Sequence, residues 1–161
     1  MKIVAVLDNI RSLYNVGSIF RTADAFGIST LYLCGITGKP DNELTKKRIN
    51  KTALGAEETV KWKYLNKTIG VIQKLKKEGY LIIALEQTTK SIDIRDLGAR
   101  IKKMVKTKKV ALIVGHELFG VTSDVLGESD IITHIPMEGN KESLNVSVAF
   151  GIGASWIKWN W

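Results

Sequence analysis

Three polar clusters in this chain bring together side chains suited to chemistry. They are Asp8-Asn9-Ile10-Arg11-Ser12-Leu13-Tyr14-Asn15, Gly115-His116-Glu117-Leu118-Phe119-Gly120, and Pro136-Met137-Glu138-Gly139-Asn140-Lys141-Glu142-Ser143-Leu144-Asn145. A fourth, shorter run is Glu86-Gln87-Thr88-Thr89. Taken singly, each is ordinary turn and cap chemistry. Their common position, just after short apolar runs, is what points to a ligand site. Several simpler chemistries fail on spacing. Gly35-Ile36-Thr37-Gly38-Lys39-Pro40 has the wrong glycine spacing for a phosphate loop, and Pro40 stands where a hydroxyl residue is required. His116-Glu117 begins like a zinc-protease helix, but position 120 is glycine. Gly151-Ile152-Gly153 lies inside a helical pattern rather than after a strand, so it reads as helix packing and not as a dinucleotide fingerprint. No serine–histidine–acid trio stands out. With two histidines and one cysteine, no metal is expected.

The elements that would position the clusters follow from hydrophobic pattern. Residues 3–7, 30–33, 81–85, 110–114 and 131–136 read as strands, with a weaker one at 59–62. Their near-continuous apolar character fits burial on both faces, as in a parallel sheet. Helices are expected over 16–26, 66–78 and 146–158, and a partly helical, strongly basic stretch over 42–54. This alternation predicts one α/β domain over residues 1–161, with helices on both faces of a mostly parallel sheet. In such sheets ligands bind outside the carboxyl ends of the strands, so the four loops would meet at one edge. In the first helix Asn15 is placed to cap, and Gly17 leaves room for something to approach on the side of Arg21.

Composition narrows the partners. The net charge is +8, which suits a polyanion such as nucleic acid or simply a lysine-rich surface. Cys34 lies in an apolar run and reads as a buried small hydrophobe. A lone cysteine fits a reducing cytoplasm. Strand-like residues start at Met1-Lys2-Ile3-Val4, so neither a signal peptide nor a membrane span is expected.

The residues then resemble a known family. Residues 15–27, Asn15-Val16-Gly17-Ser18-Ile19-Phe20-Arg21-Thr22-Ala23-Asp24-Ala25-Phe26-Gly27, are similar to motif 1 of the SpoU (TrmH-type) family of SPOUT methyltransferases. Residues 113–121 resemble its motif 2 and residues 135–149 its motif 3, in the family's order, and Thr52-Ala53-Leu54-Gly55-Ala56 resembles a further family segment. The resemblance implies an α/β knot fold with a C-terminal trefoil knot, a homodimer, S-adenosylmethionine as methyl donor, and 2′-O-methylation of a ribose in tRNA or rRNA. By motif position the functional residues are Asn15, Arg21, Glu117, Ser143 and Asn145. The donor pocket would be built from Leu85, Gly115, Ile135, Met137, Ser143 and Leu144.

These types suit the implied chemistry. Apolar walls accept the donor, and Gly115 permits close backbone approach. A ribose hydroxyl is a poor nucleophile until its proton is taken or its developing charge is stabilised. An always-protonated arginine is awkward as a base, so Arg21 reads as a clamp on the adjacent phosphate that also stabilises the oxyanion. Glu117 is expected to orient Arg21 in a bidentate pair. Asn15, Ser143 and Asn145 would hold the RNA backbone and ribose. RNA grip is assigned to Arg11, Arg21, Lys46, Lys47, Arg48 and Lys51, with a second basic run at Lys102, Lys103, Lys106, Lys108 and Lys109. Trp156, Trp159 and Trp161 are expected at a dimer interface, or else stacked on bases. Two other readings stay open: an RNA-binding factor without catalysis, and a knotted enzyme that methylates a base.

Overall fold

The computed structural model describes residues 1–104 and 108–160. Its elements run β1 (Lys2–Asp8), α1 (Leu13–Phe26), β2 (Leu31–Cys34), α2 (Glu43–Ala53), α3 (Ala56–Thr59), β3 (Trp62–Leu65), α4 (Thr68–Lys77) and β4 (Leu81–Leu85). They continue with β5 (Ile92–Asp93), α5 (Ile94–Met104), β6 (Lys109–Gly115), α6 (Ser123–Gly127), β7 (Ile131–His134) and α7 (Val146–Asn160). The strands form one sheet in the order β3-β2-β1-β6-β4-β7-β5, and every pair is parallel. The chain is thus an α/β domain with helices on both faces of a parallel sheet.

Strand periodicity explains the two cores. In β1, Ile3, Ala5 and Leu7 pack on one face with residues of α1, α2, α5 and α7. Val4 and Val6 point the other way, to α4 and α6. Because both faces are covered, β1, β4 and β6 have almost no exposed residue. Cys34 is buried in β2, and burial pushes its thiol up to about 12, with the nearby Asp8 carboxylate adding to the shift. It packs as an inert small hydrophobe, as expected.

Several details differ from the sequence pattern. The strand expected at 59–62 is β3, displaced to Trp62–Leu65, because residues 56–59 close into the short helix α3. Helix α5 was not anticipated; its apolar face is Ile94, Leu97 and Ile101, spaced by charged residues. Helix α1 starts earlier than expected, and Ser12, not Asn15, is its N-cap, with Ser12 Oγ accepting from the Asn15 N–H. What approaches Gly17 is helix α2: a Cβ there would lie 2.2 Å from Thr52 Oγ1 and 2.3 Å from the Ile49 carbonyl oxygen. Gly153 in α7 likewise seats against Leu85 and Leu112. Among the described residues no helix is long and apolar enough to cross a membrane.

One buried carboxylate ties the sheet edge to the loops above it. Asp8, at the end of β1, is fully buried. Its Oδ1 accepts from Thr68 Oγ1 at 2.5 Å and Asn9 Nδ2 at 3.0 Å, and its Oδ2 accepts from the Thr122 N–H and hydroxyl, both at 2.9 Å. Removing the carboxylate leaves the buried Thr68 hydroxyl without its acceptor and releases the Asn9 amide and the exposed Thr122 N–H and hydroxyl. Asp8→Ala is therefore expected to cost about 1–3 kcal/mol in urea unfolding, the order for one buried donor left unpaired.

Candidate active site

The carboxyl ends of β1, β6, β4 and β7 open on the same edge of the sheet, and the polar clusters gather there. The central piece is the turn after β6. It closes on itself: the His116 N–H donates to the Gly120 carbonyl at 3.0 Å, and the Gly120 N–H returns to the His116 carbonyl at 2.8 Å. Gly115 makes this possible, because a Cβ there would sit 2.2 Å from the Gly120 carbonyl carbon and the Val121 nitrogen. The close approach expected at Gly115 is thus made by the chain's own backbone. Gly120 takes a φ of +69° and passes directly over Glu86, whose Oε2 accepts from the Val121 N–H at 2.8 Å.

This turn aims Glu117 at the start of α1. Glu117 Oε2 accepts from the Arg11 N–H at 2.9 Å; Oε1 accepts from the Ser12 N–H at 2.9 Å and from Asn15 Nδ2 at 2.8 Å. Burial alone would raise the Glu117 pKa, but these donors outweigh it and hold the carboxyl below its ordinary value. Asn15 Oδ1 in turn accepts from Asn145 Nδ2 at 3.1 Å. Asn145 Oδ1 accepts from the Ser147 N–H at 2.9 Å, which caps α7. A continuous chain of hydrogen bonds, Glu117 to Asn15 to Asn145, therefore joins one residue from each motif.

Beside this chain lies a cavity of about 230 Å³. Leu85, Gly115, Ile135, Met137, Ser143 and Leu144, the six residues expected around the donor, all line it. Among the further residues on its wall are Glu86, His134 and Glu142, which sequence reasoning did not assign to the donor. Their signal was only position: each stands at or within a strand-end loop. His134 Nδ1 lies 3.0 Å from Ser91 Oγ, and the Ser91 hydroxyl donates to the Thr88 carbonyl, which ties β7 to the loop after β4. Apolar walls with carboxylates at Glu86, Glu117 and Glu142 suit a ligand that is apolar in part and positively charged. Among the described residues no group of histidine, cysteine and acidic side chains could hold a metal.

Arg21 stands elsewhere. Six residues beyond Asn15, it is displaced by about 9 Å of helix rise. It does not line the cavity, it is exposed, and it has no hydrogen-bond or ion-pair partner among the described residues. The expected bidentate pair with Glu117 is absent, because backbone N–H groups and Asn15 occupy both Glu117 oxygens. Of the basic residues assigned to RNA, Lys46, Lys47, Arg48 and Lys51 are exposed on α2, which packs on α1, and Arg11 is exposed beside Glu117. Lys46 is engaged by Glu58 at 2.5 Å. Trp159 is 73% exposed and packs edge-on against Phe26, whereas Trp156 is largely covered. Lys106 and Trp161 lie outside the described residues.

Comparison with known proteins gives a consistent result. The model of the SpoU rRNA Methylase family matches residues 2–155. A tRNA (guanosine(18)-2′-O)-methyltransferase of Aquifex aeolicus is 33% identical over 153 residues, covering 93% of this chain and 65% of that protein. A 23S rRNA (guanosine-2′-O-)-methyltransferase of Nitrosomonas europaea is 28% identical over 93% of this chain and 53% of its own length. The chain thus spans less than two thirds of the curated relatives it matches. The crystal structure of the Aquifex aeolicus TrmH/SpoU tRNA modifying enzyme superposes with a TM-score of 0.82 at 28% identity, covering 98% of this chain and 74% of that one. An AdoMet-bound rRNA methyltransferase from Sinorhizobium meliloti gives 0.82 at 26% identity, over 97% and 55%. With three motifs joined by one hydrogen-bonded chain and the family model matched over nearly every residue, this chain belongs to the SpoU rRNA Methylase family.

Proposed function

We propose that the chain transfers a methyl group from S-adenosylmethionine to a ribose 2′-hydroxyl of tRNA or rRNA. The observation that carries this reading is the Glu117–Asn15–Asn145 chain set against a cavity with apolar and acidic walls. When bound, S-adenosylmethionine supplies a methyl group on a positively charged sulfur. Leu85, Ile135 and Leu144 form the apolar walls for it, and Met137 and Ser143 close the side formed by the third motif. Asn15 and Asn145, fixed by Glu117 and by each other, hold the acceptor ribose in an attack geometry. Positioning of this kind is worth several powers of ten in rate. Arg21 binds the phosphate next to the reacting ribose and stabilises the alkoxide as it forms, and the proton leaves toward that phosphate.

Arg21 stands off from the cavity within one chain. The proposed homodimer offers a way to complete the site, with Arg21 of one copy facing the cavity of the other. The exposed Trp159 supports such an interface. The same reading includes a C-terminal trefoil knot, a cytoplasmic setting, no metal, and RNA grip through Arg11, Lys47, Arg48 and Lys51.

The test is incubation with methyl-labelled donor and unmodified bulk tRNA or rRNA, followed by nucleoside mass spectrometry. A 2′-O-methylnucleoside is the expected product. A methylated base, or donor binding without transfer to either RNA, overturns the reading.

A further inference from the structure

The turn that carries Glu117 also carries two large apolar side chains out into solvent. Leu118 is 77% exposed and Phe119 83%. Ordinary loop tips with such exposure are mobile; this one is bonded throughout. Besides the two His116–Gly120 backbone bonds, His116 Nδ1 accepts from the Leu118 N–H at 3.0 Å and the Phe119 N–H at 3.4 Å. Glu86 holds the Val121 N–H behind the turn, and Asp8 holds Thr122. The imidazole lies against the phenyl ring with centroids 4.8 Å apart and planes 33° from parallel. The turn thus presents a preset two-ring shelf, although its own packing gains nothing from leaving Phe119 in water.

We infer that Phe119, backed by His116, stacks on an unpaired base of the RNA strand next to the reacting nucleotide, an inference that rests on the proposed function above. Three observations select an RNA base over other occupants. The shelf sits two residues from Glu117, which positions the proposed acceptor side chains, and Leu118 lines the cavity itself. The Arg11 backbone N–H is bound by the same Glu117, and Arg11 is exposed, so the turn and a basic residue share one anchor. The chain as a whole carries a net charge of +8. An aromatic face next to a cation is how single-stranded nucleic acid is gripped, base on ring and phosphate on charge.

The experiment compares Phe119→Ala, Phe119→Leu and Phe119→Trp in binding to unmodified bulk tRNA and rRNA. Each is accompanied by donor titration, sedimentation and thermal melting. Phe119→Ala is expected to weaken RNA binding by roughly ten- to a hundredfold, the range of one lost base stack. Phe119→Leu should be nearly as weak, because it keeps apolar area but no π face, whereas Phe119→Trp should restore binding. The salt dependence of binding should keep its slope, since no phosphate contact is lost. Donor affinity and the melting temperature should hold, because the side chain is almost wholly in solvent. If Phe119→Leu binds RNA as well as the unaltered protein, or if Phe119→Ala leaves RNA affinity intact, the shelf is not a base platform. If Phe119→Ala instead dissociates the oligomer, the occupant is a second copy of the chain and the inference is overturned. A chain that binds RNA through Phe119 yet transfers no methyl group overturns the proposed activity while leaving the shelf standing.

Discussion

Arg21→Ala is expected to lower methyl transfer to RNA by about a hundred- to a thousandfold, the usual cost of losing one preorganised charge at a developing oxyanion. Affinity for S-adenosylmethionine should stay close to that of the unaltered protein. The structure makes the separation sharp. Arg21 is absent from the cavity lining, whereas Leu85, Gly115, Ile135, Met137, Ser143 and Leu144 all belong to it. The guanidinium is exposed and has no ion-pair or hydrogen-bond partner among the described residues, so its removal breaks no internal bond and the fold should be unaffected. Calorimetric titration with the donor and transfer of labelled methyl to bulk RNA measure the two quantities independently. Full transfer by Arg21→Ala would remove Arg21 from the chemistry. Loss of donor binding by a protein that still melts normally would assign Arg21 to the donor site and leave the acceptor to be activated by another group.

How far the sequence could be read depended on what each segment is covered by. Strands β1, β4 and β6 were legible because both faces are buried, which forces continuous apolar runs. Strand β3 was misplaced because it lies at the sheet edge, where Trp62, Tyr64 and Leu65 are only partly covered, Lys63 is exposed and the pattern blurs. Helix α5 was hidden because Ile94, Leu97 and Ile101 are separated by charges and lead into a lysine-rich run that reads as solvated surface.

The site shows the same division. Residue types after the strand ends identified which loops meet, since a parallel sheet brings those ends to one edge. Partners within the site were not legible, because an acidic side chain does not say which donor it will meet. Glu117 was expected on Arg21, but the nearer backbone N–H groups of Arg11 and Ser12 claim it. Asn15 was expected as a helix cap; Ser12 takes that place, which frees the Asn15 amide to link Glu117 with Asn145. Asp8 has the same difficulty, since nothing in the sequence shows that Thr68 and Thr122 bond to it.

Glu117→Ala should lower the turnover rate by about a hundredfold, the order expected when a reacting group is misplaced by about 1 Å. The substitution removes the single acceptor shared by the Arg11 N–H, the Ser12 N–H and the Asn15 amide. Water can reach those donors, so the protein should remain folded while the start of α1 and the Asn15–Asn145 link lose their fixed geometry. Glu117→Gln should fall between, because its amide keeps one acceptor oxygen but turns an NH₂ group toward donors that need an acceptor. The pH dependence separates this role from that of a titrating base. The bound donors hold the Glu117 carboxyl below its ordinary value despite the opposing effect of burial. A group with a depressed folded pKa stabilises the fold fully above its unfolded value, about 4.3 for glutamate, and that contribution disappears as the pH falls through the folded value. The stability advantage of the unaltered protein over Glu117→Gln should therefore be flat from neutral pH down to about 5 and shrink only in more acid solution. Urea unfolding of both proteins across that range measures it. An advantage that changes between pH 6 and 8 would mean that Glu117 titrates near neutrality, and the fixed clamp on the start of α1 would have to be abandoned.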